Sequence, residues 1–404
     1  MSAEYYTGII KLSHFSVKEY LTSQYIQSHN VKQVRDFSFS ETLSHSVISQ
    51  ICLAYLLQFS TCEQLDINLD ASSPLARYAA KHWVIHAHSG CKNESQSSLV
   101  FTLIMKLLTD ENYAFVNWVK IYDIDRHYMG LRKWRAEVAK PLYYASLTGL
   151  TEASSALLDM RADINAQGGH YRNALQAASY GGHEAIVKLL IERGADINAL
   201  GGVFGNALQA ATYGGHEAIA KLLIDKGADV NAQGGDYRNA LYTASYGGHE
   251  AIAKLLIDKE ADVKAQGGKF GNALQAASYG GHEAIAKLLI ESGADVNAQG
   301  GKFGNALQAA SYEGHQAIAK LLIQKGADVK AQGGKLGNAL QAASSGGYEA
   351  IVKLLIEKGA DVNARGGYYG SALDAASFKG HEVIAKLLLE KGCRYKYHSH
   401  VKHT

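Results

Sequence analysis

A His-Glu dipeptide recurs along the C-terminal part of the chain, and this pair begins the metal site of many zinc proteases. The pairs start at His183, His216, His249, His282 and His381. A zinc protease needs His-Glu-x-x-His on one helix, because two histidines one turn apart bind the metal while the glutamate activates water. The second histidine is absent each time. We therefore predict that each histidine starts a helix and bonds to neighbouring backbone, and we expect no metal site.

Two other catalytic signatures are also absent from the sequence. A phosphate-binding loop needs G-x-x-x-x-G-K-[ST], and no Gly-Lys-Ser or Gly-Lys-Thr occurs. The repeated Gly-Gly pairs are therefore predicted to be turns between helices. The hydrolase signature G-x-S-x-G does not occur either. We expect a non-catalytic protein without a cofactor.

The elements that hold these residues repeat with a strict period. A block of the form G-G-x-[YFL]-[GR]-N-A-L returns every 33 residues. Its asparagine stands at Asn173, Asn206, Asn239, Asn272, Asn305 and Asn338, and Ser371 takes the next place. A fixed period in this range predicts a solenoid of stacked units, an architecture that presents a long binding surface.

One unit shows the elements that the pattern predicts. Asn173 can cap a helix over 174–180 through its side-chain oxygen, and a glycine pair ends that helix. A second helix is predicted over 183–193, with Gly194 after it. Its apolar face consists of Ile186, Val187, Leu189 and Leu190. Helices this short cannot bury their apolar faces alone, so each unit must pack on its neighbours.

The unit resembles the ankyrin repeat. The family pattern T-P-L-H-x-A-A-x-x-G-H-x-x-V-V-K-L-L-L-x-x-G-A-D-V-N reads N-A-L-Q-A-A-S-Y-G-G-H-E-A-I-V-K-L-L-I-E-R-G-A-D-I-N over residues 173–198. Asn, Ala and Gln replace Thr, Pro and His at the start of the first helix. Different side chains must therefore form the hydrogen bonds that are usual at this position. Residues 141–165 fit the same register with a weaker pattern. The resemblance implies an all-α solenoid of about eight units ending near Gly392.

A ladder of tyrosines is the main candidate for binding chemistry. It consists of Tyr180, Tyr213, Tyr246, Tyr279 and Tyr312, each at the end of a first helix, and Ser345 and Phe378 interrupt it. In ankyrin arrays this position faces the concave side. Tyrosine suits binding surfaces because it combines large area with a directed polar group. The alternative is that these rings pack repeat on repeat. A ladder that serves binding alone should tolerate truncation with nearly unchanged stability.

The turn before each first helix carries the most variable residue of the unit. This position is occupied by His170, Val203, Asp236, Lys269, Lys302, Lys335 and Tyr368, and Arg172 and Arg238 stand beside it where other units have glycine. Variation at one position within near-identical units indicates that the side chain at this position is not required for packing. All of these residues except Val203 join the five tyrosines as predicted partner-binding residues.

The first 140 residues do not repeat and are predicted to form a mostly helical globular region. A capping box at 38–41 opens a helix whose predicted apolar face is Val47, Ile48, Ile51, Cys52, Tyr55 and Leu56. Another capping box stands at 16–19, and Ser73-Pro74 opens a further helix. Residues 9–12 could form a strand, and helices are predicted near 99–108 and 113–119.

Part of this region resembles the segment that follows the nucleoside-triphosphatase module in fungal NACHT-ankyrin receptors. The similar stretches are L-S-H-F-S-V-K-E-Y-L at 12–21, C-L-A-Y-L-L at 52–57 and Y-A-A-K-H-W at 78–83. The resemblance implies a helical region followed by ankyrin repeats, as in the C-terminal part of such a receptor, whose family is linked to non-self recognition.

Charge and cysteine content indicate which partners and which cellular location to expect. The formal net charge is +2, which gives no general attraction to nucleic acid or membranes. Four cysteines share no C-x-x-C spacing, and the start does not follow a signal-peptide pattern, so we expect a cytoplasmic protein without a membrane span. The predicted domains are a helical region at 1–138, ankyrin repeats at 139–393, and a basic, histidine-containing tail at 394–404.

These observations favour a scaffold or sensor that binds a protein partner along the concave face. One alternative is a fragment of a NACHT triphosphatase receptor without its catalytic module. A second and less favoured alternative is a nucleic-acid binder that uses the turn lysines and the two arginines; steep loss of affinity with salt would indicate it.

Overall fold

The structure is a computed structural model that describes residues 41–61, 73, 75–90, 94–109, 113–125 and 138–394. The chain divides into two compact units, residues 1–170 and 171–404. Both are helical, and β structure in these described ranges is limited to isolated bridges in turns. No helix in the same ranges is long and apolar enough to cross a bilayer. The predicted strand at 9–12, the capping box at 16–19 and the tail from 395 onward lie outside the described residues.

The described part of the first unit is helical. In chain order its elements are α1 (Glu41–Leu57), a 3₁₀ turn (Gln58–Thr61), α2 (Ala76–Gly90), α3 (Glu94–Thr109), α4 (Ala114–Ile121), α5 (Pro141–Leu147) and α6 (Thr151–Asp159). The helices predicted near 99–108 and 113–119 are confirmed by α3 and α4. The last two helices are the weakly patterned unit that the sequence placed at 141–165.

The buried face of α1 differs from the predicted one. Cys52 and Leu56 are buried as expected, but Val47 and Ile51 are exposed, and Ser46 and Ser49 take their place in the core. The reason is the close approach of α2. A Cβ atom on Gly90 would lie 2.4 Å from the backbone nitrogen of Ser46. Because two helices this close leave no room for branched side chains, small residues face the contact.

An aromatic cluster fills the core of the first unit. The rings of Trp83 and Trp118 meet edge to face with centroids 5.2 Å apart, a favoured aromatic geometry. The indole of Trp118 donates a hydrogen bond to the carbonyl of Ala80 at 3.0 Å. Tyr144 of α5 packs against Trp118 and Phe115. The cluster therefore ties α2, α4 and α5 together.

The second unit is a regular series of helix pairs. They are α7 and α8 (Ala174–Gly181, Glu184–Glu192), α9 and α10 (Ala207–Tyr213, Glu217–Asp225), α11 and α12 (Ala240–Gly247, Glu250–Asp258), α13 and α14 (Ala273–Gly280, Glu283–Glu291), α15 and α16 (Ala306–Glu313, Gln316–Gln324), α17 and α18 (Ala339–Gly346, Glu349–Glu357), and α19 and α20 (Ala372–Lys379, Glu382–Glu390).

The helix signals within one unit are confirmed. The side chain of Asn173 accepts the backbone N–H of Gln176 at 2.9 Å, as predicted for a cap. Gly182 ends the helix in the left-handed region, at φ 76°. On the second helix Ile186 and Leu190 are fully buried, while Leu189 lies at the edge of the apolar face.

In five of the seven first helices that the structure describes in the second unit, a glutamine near the helix start bonds to the segment that leads to the next repeat. The amide of Gln209 donates to the carbonyls of Ala232 at 3.2 Å and of Arg238 at 2.7 Å, in the segment that leads to the first helix of the next repeat. On the exposed side, Asn198 donates to the carbonyl of Gly227 at 3.0 Å and accepts the N–H of Asp229 at 2.9 Å. These bonds replace the ones that the sequence departures had left open. They are not present in every repeat, because Tyr242 and Asp374 replace the glutamine and Lys264 and Lys330 replace the asparagine.

We expect Glu260→Gly to stabilise the protein by about 1 kcal/mol, because Glu260 adopts φ 63° where a side chain is strained. Other repeats have glycine there, and a Cβ on Gly293 would meet nothing within 4 Å. Gly293→Ala therefore tests backbone strain alone and should cost about 1 kcal/mol. Urea unfolding measures both. Loss of stability in Glu260→Gly would contradict the expectation.

Candidate functional site

The repeated histidines bond to backbone, as predicted. The Nε2 atoms of His216, His282 and His315 lie 2.9, 3.1 and 3.0 Å from the carbonyl oxygens of tyrosines in the preceding repeat. A carbonyl can only accept, so each imidazole donates through Nε2. The described residues contain no group of three or more His, Cys, Asp or Glu side chains placed to hold a metal ion. The histidines therefore join repeats.

The tyrosines of the ladder do not stand alone on the surface. Each ring lies against aromatic rings of neighbouring turns in stacked or tilted geometry, and the centroids of neighbouring rings are 4.1 to 6.4 Å apart. We call this continuous stack the aromatic ladder; it consists of Tyr171, Tyr180, Phe204, Tyr213, Tyr237, Tyr246, Phe270, Tyr279, Phe303 and Tyr312. It runs along one side of the array.

The ladder combines packing with exposed surface. The five helix-end tyrosines are half-buried, whereas Phe270 and Phe303 from the turns are buried. The contacts between these turn aromatics and the tyrosines were not predicted from the sequence. Their signal was present, because they recur every 33 residues directly after the variable turn residue. The alternative in which the tyrosines pack repeat on repeat therefore describes an essential part of their role.

The variable turn residues lie beside the ladder and are linked to one another. The N–H of Lys302 donates to the carbonyl of Lys269 at 3.0 Å, and the same bond joins Lys335 to Lys302. The ammonium group of Lys302 lies 4.9 Å from the ring centre of Phe303. Tyr368, bonded to the carbonyl of Lys335 at 2.9 Å, continues the row. Backbone bonds thus fix these residues while their side chains stay exposed.

The remaining predicted residues occupy different surroundings. Asp236 is exposed and its N–H donates to the carbonyl of Val203 at 2.8 Å, so it joins the same row. His170 belongs to the first unit, where its N–H donates to the carboxylate of Asp125 at 2.5 Å. The hydroxyl of Tyr143 donates to the same carboxylate at 2.6 Å.

Arg172 and Arg238 adopt a backbone conformation that normally requires glycine. Their φ angles are 84° and 66°, and the corresponding Gly205 and Gly271 have 99° and 113°. A residue with a side chain is strained in this region, so glycine would be the more stable choice. Arg238 is also exposed. The side chains of the two arginines lie against Gly201 and Gly267 of the following turns, so they combine a contact between turns with a strained backbone.

Two tyrosines of the ladder have perturbed acidity. Burial, a hydrogen bond with Tyr213 and nearby acidic groups raise the pKa of Tyr237. Burial and the neighbouring carboxylate of Glu313 raise the pKa of Tyr279. Deprotonation of both hydroxyl groups is therefore less favourable than for a tyrosine in water.

Sequence comparisons agree with this geometry. Models of ankyrin repeats match residues 203–267, 268–333 and 307–398, and a second ankyrin-repeat model matches residues 175–224. Residues 175–398 belong to the ankyrin-repeat family. The ankyrin fold is typically non-catalytic and commonly mediates protein–protein contacts. The row of variable turn residues Asp236, Lys269, Lys302, Lys335 and Tyr368, which we call the turn row, and the aromatic ladder beside it form the candidate interaction face of this array.

Two individual proteins are similar to this ankyrin chain. The azaphilone pigments biosynthesis cluster protein L of Monascus ruber is 36% identical over 194 residues, which cover 45% of this chain and 40% of that protein. The match thus spans less than half of the relative's length. The solved human ASB11 ankyrin repeat domain is 24% identical and covers 55% of this chain and 99% of that chain, with a TM-score of 0.49.

Truncating the ladder should cost stability in proportion to burial. We expect Phe303→Ala to cost about 3–5 kcal/mol, since this ring is 1% exposed, and Tyr279→Ala to cost about 1–2 kcal/mol through lost stacking. Tyr368→Ala is the control, because its ring is 68% exposed, and should cost under about 0.5 kcal/mol. Thermal and urea unfolding measure all three. An unchanged Tyr279→Ala would mean that the ladder serves binding alone.

Proposed function

We propose that the ankyrin array is a non-catalytic scaffold or sensor that holds a protein partner along the face formed by the aromatic ladder and the turn row. The observation that carries this proposal is the pair of arginines at positive φ. Strained residues cluster at functional sites, and arginine with tyrosine is the combination enriched at the centres of protein interfaces. Exposed lysines on the same row add charges that can steer a partner.

The proposal gains support from how firmly the face is held. The turn backbones are bonded to one another, and the rings are stacked, so little order has to be gained on binding. A preorganised surface loses less conformational entropy when a partner docks. Residues on the outer helices, such as Lys221 and Lys254, are exposed but have no comparable aromatic surroundings, and the proposal gives them no role.

Arg238→Gly is the sharpest test, because it installs the residue that other repeats carry at this position. The full chain would serve as bait, and a captured protein would be identified by mass spectrometry and its affinity measured by calorimetry. We expect Arg238→Gly to weaken binding at least about tenfold while stability is unchanged or slightly higher.

Lys221→Ala and Lys254→Ala are matched surface controls and should leave the affinity unchanged. If the partner binds the arginine variant as well as it binds the wild type, or if the outer lysines prove essential, the proposed face is wrong. The tyrosines are less suitable for this purpose because their truncation also disturbs packing.

We also propose a wider setting, in which this chain corresponds to the C-terminal sensing part of a NACHT-ankyrin receptor that acts in fungal non-self recognition. Its support is the similarity of residues 12–21, 52–57 and 78–83 to that family. A transcript that joins this reading frame to an upstream phosphate-binding module would support it. A transcript without such a module would reject it.

A further inference from the structure

The aromatic ladder is interrupted in one repeat, and the interruption opens a cleft. Where other units place an aromatic ring in the turn and a tyrosine at the helix end, this unit has Leu336 and Ser345. The continuous stack ends at Tyr312, and a second group of rings begins at Tyr369 and Phe378, whose centroids are 5.5 Å apart. The two missing rings leave a space between these walls.

The cleft, which we call the ladder gap, has a volume of about 300 Å³ and is lined by Tyr312, Leu336, Tyr369 and Phe378. This is at the lower end of the range for ligand pockets, about 300–1,000 Å³. Phe378 is 74% exposed, which is unusual for a phenylalanine ring. The cleft therefore combines aromatic rings with polar groups, which suits a ligand that carries both an aromatic ring and charged groups.

Three lysines rim the ladder gap: Lys302, Lys335 and Lys379. None of them forms an ion pair with another residue in the described part of the chain. The ammonium group of Lys335 lies 5.4 Å from the ring centre of Tyr368, so its charge is held at the mouth of the cleft. The nearby carboxylate of Asp374 is already paired with Arg365 at 3.2 Å. The rim is therefore positive without local compensation.

We propose that the ladder gap binds an acidic peptide segment of the partner protein, which inserts one aromatic side chain between Tyr312 and the Tyr369–Phe378 pair. This inference rests on the proposed function and names the chemistry of its partner. The inserted ring continues the stack where the repeat lacks its own rings, and flanking carboxylates meet the three lysines.

The positive charge and small size of the ladder gap favour an acidic peptide over two other occupants, which are the chain's own C-terminal end and single-stranded nucleic acid. The chain's own end, residues 394–404, carries basic and no acidic side chains and would be repelled by the lysines. Single-stranded nucleic acid needs a basic track along which successive bases stack. Basic and acidic residues nearly balance over 171–394, so the array offers no continuous basic track. A short acidic segment with one ring fits these limits.

Selection from a random peptide library on the purified full chain tests the inference. We expect enriched peptides to carry a Phe, Tyr or Trp flanked by Asp or Glu. The affinity of one such labelled peptide is then measured by fluorescence polarisation. Leu336→Phe combined with Ser345→Tyr rebuilds the rings of other repeats and should weaken binding at least about tenfold, while the melting temperature is retained or raised.

Further variants keep the test decisive if the double variant folds poorly. Phe378→Ala changes an exposed ring and should weaken the same peptide at least about fivefold. Lys335→Ala should weaken it about threefold or more, with a smaller effect at high salt. Lys254→Ala is the control, since this exposed lysine lies on an outer helix away from the ladder gap and the proposed face, and it should have no effect.

Several results would overturn the inference, and they can be told apart from a failure of the proposed function. Enrichment of neutral or basic peptides, or equal affinity in the ring-filled variant, overturns the inference. So does tighter binding of a twelve-nucleotide oligothymidine at the same cleft, which would indicate nucleic acid instead. Peptides whose binding depends on Arg238 and not on the ladder gap overturn the inference but leave the proposed function standing. An absence of any binding peptide overturns the inference, and the proposed function then rests on the partner capture described above.

Discussion

The structure of the array depends on one constraint, which is that its helices are too short to bury their apolar faces alone. The first helices have seven or eight residues and the second helices nine. Isolated helices of this length are unstable in water. Each repeat is therefore folded only through its neighbours. Buried leucines provide the area, and the glutamine amides fix the distance by bonding to carbonyls of the segment that leads to the next repeat.

The same contacts that hold the array together also build its surface. The turns are bonded to one another, so their variable residues form an ordered row, and the rings beside them stack into the aromatic ladder. Because the backbone repeats so closely, a substitution at one position changes the surface locally without changing the fold. Arginine in two units and the missing rings near Leu336 are changes of this kind. Specificity in such an array arises from departures between units.

The sequence predicted best what is determined within a few residues. The Asn173 cap and the left-handed Gly182 follow from local backbone requirements, and both are confirmed. The predicted buried face of α1 was wrong, because the buried face depends on the approach of α2 at Gly90, which is distant along the chain. The turn aromatics were overlooked because a turn residue carries no helical periodicity to indicate burial. The ladder gap emerges only when rings from three repeats are placed side by side.

We conclude that each repeat needs only its immediate neighbours in order to fold. Deletion of one complete 33-residue period tests this conclusion most directly. Removing residues 267–299 joins Gln266 to Gly300, where the sequence continues with the same Gly-Gly-Lys-Phe as before. Circular dichroism and urea unfolding should show a folded, shorter array with a smaller denaturant slope, whereas removal of 267–282 alone should unfold the neighbouring repeats. If both deletions unfold the protein alike, the neighbour-only account is contradicted.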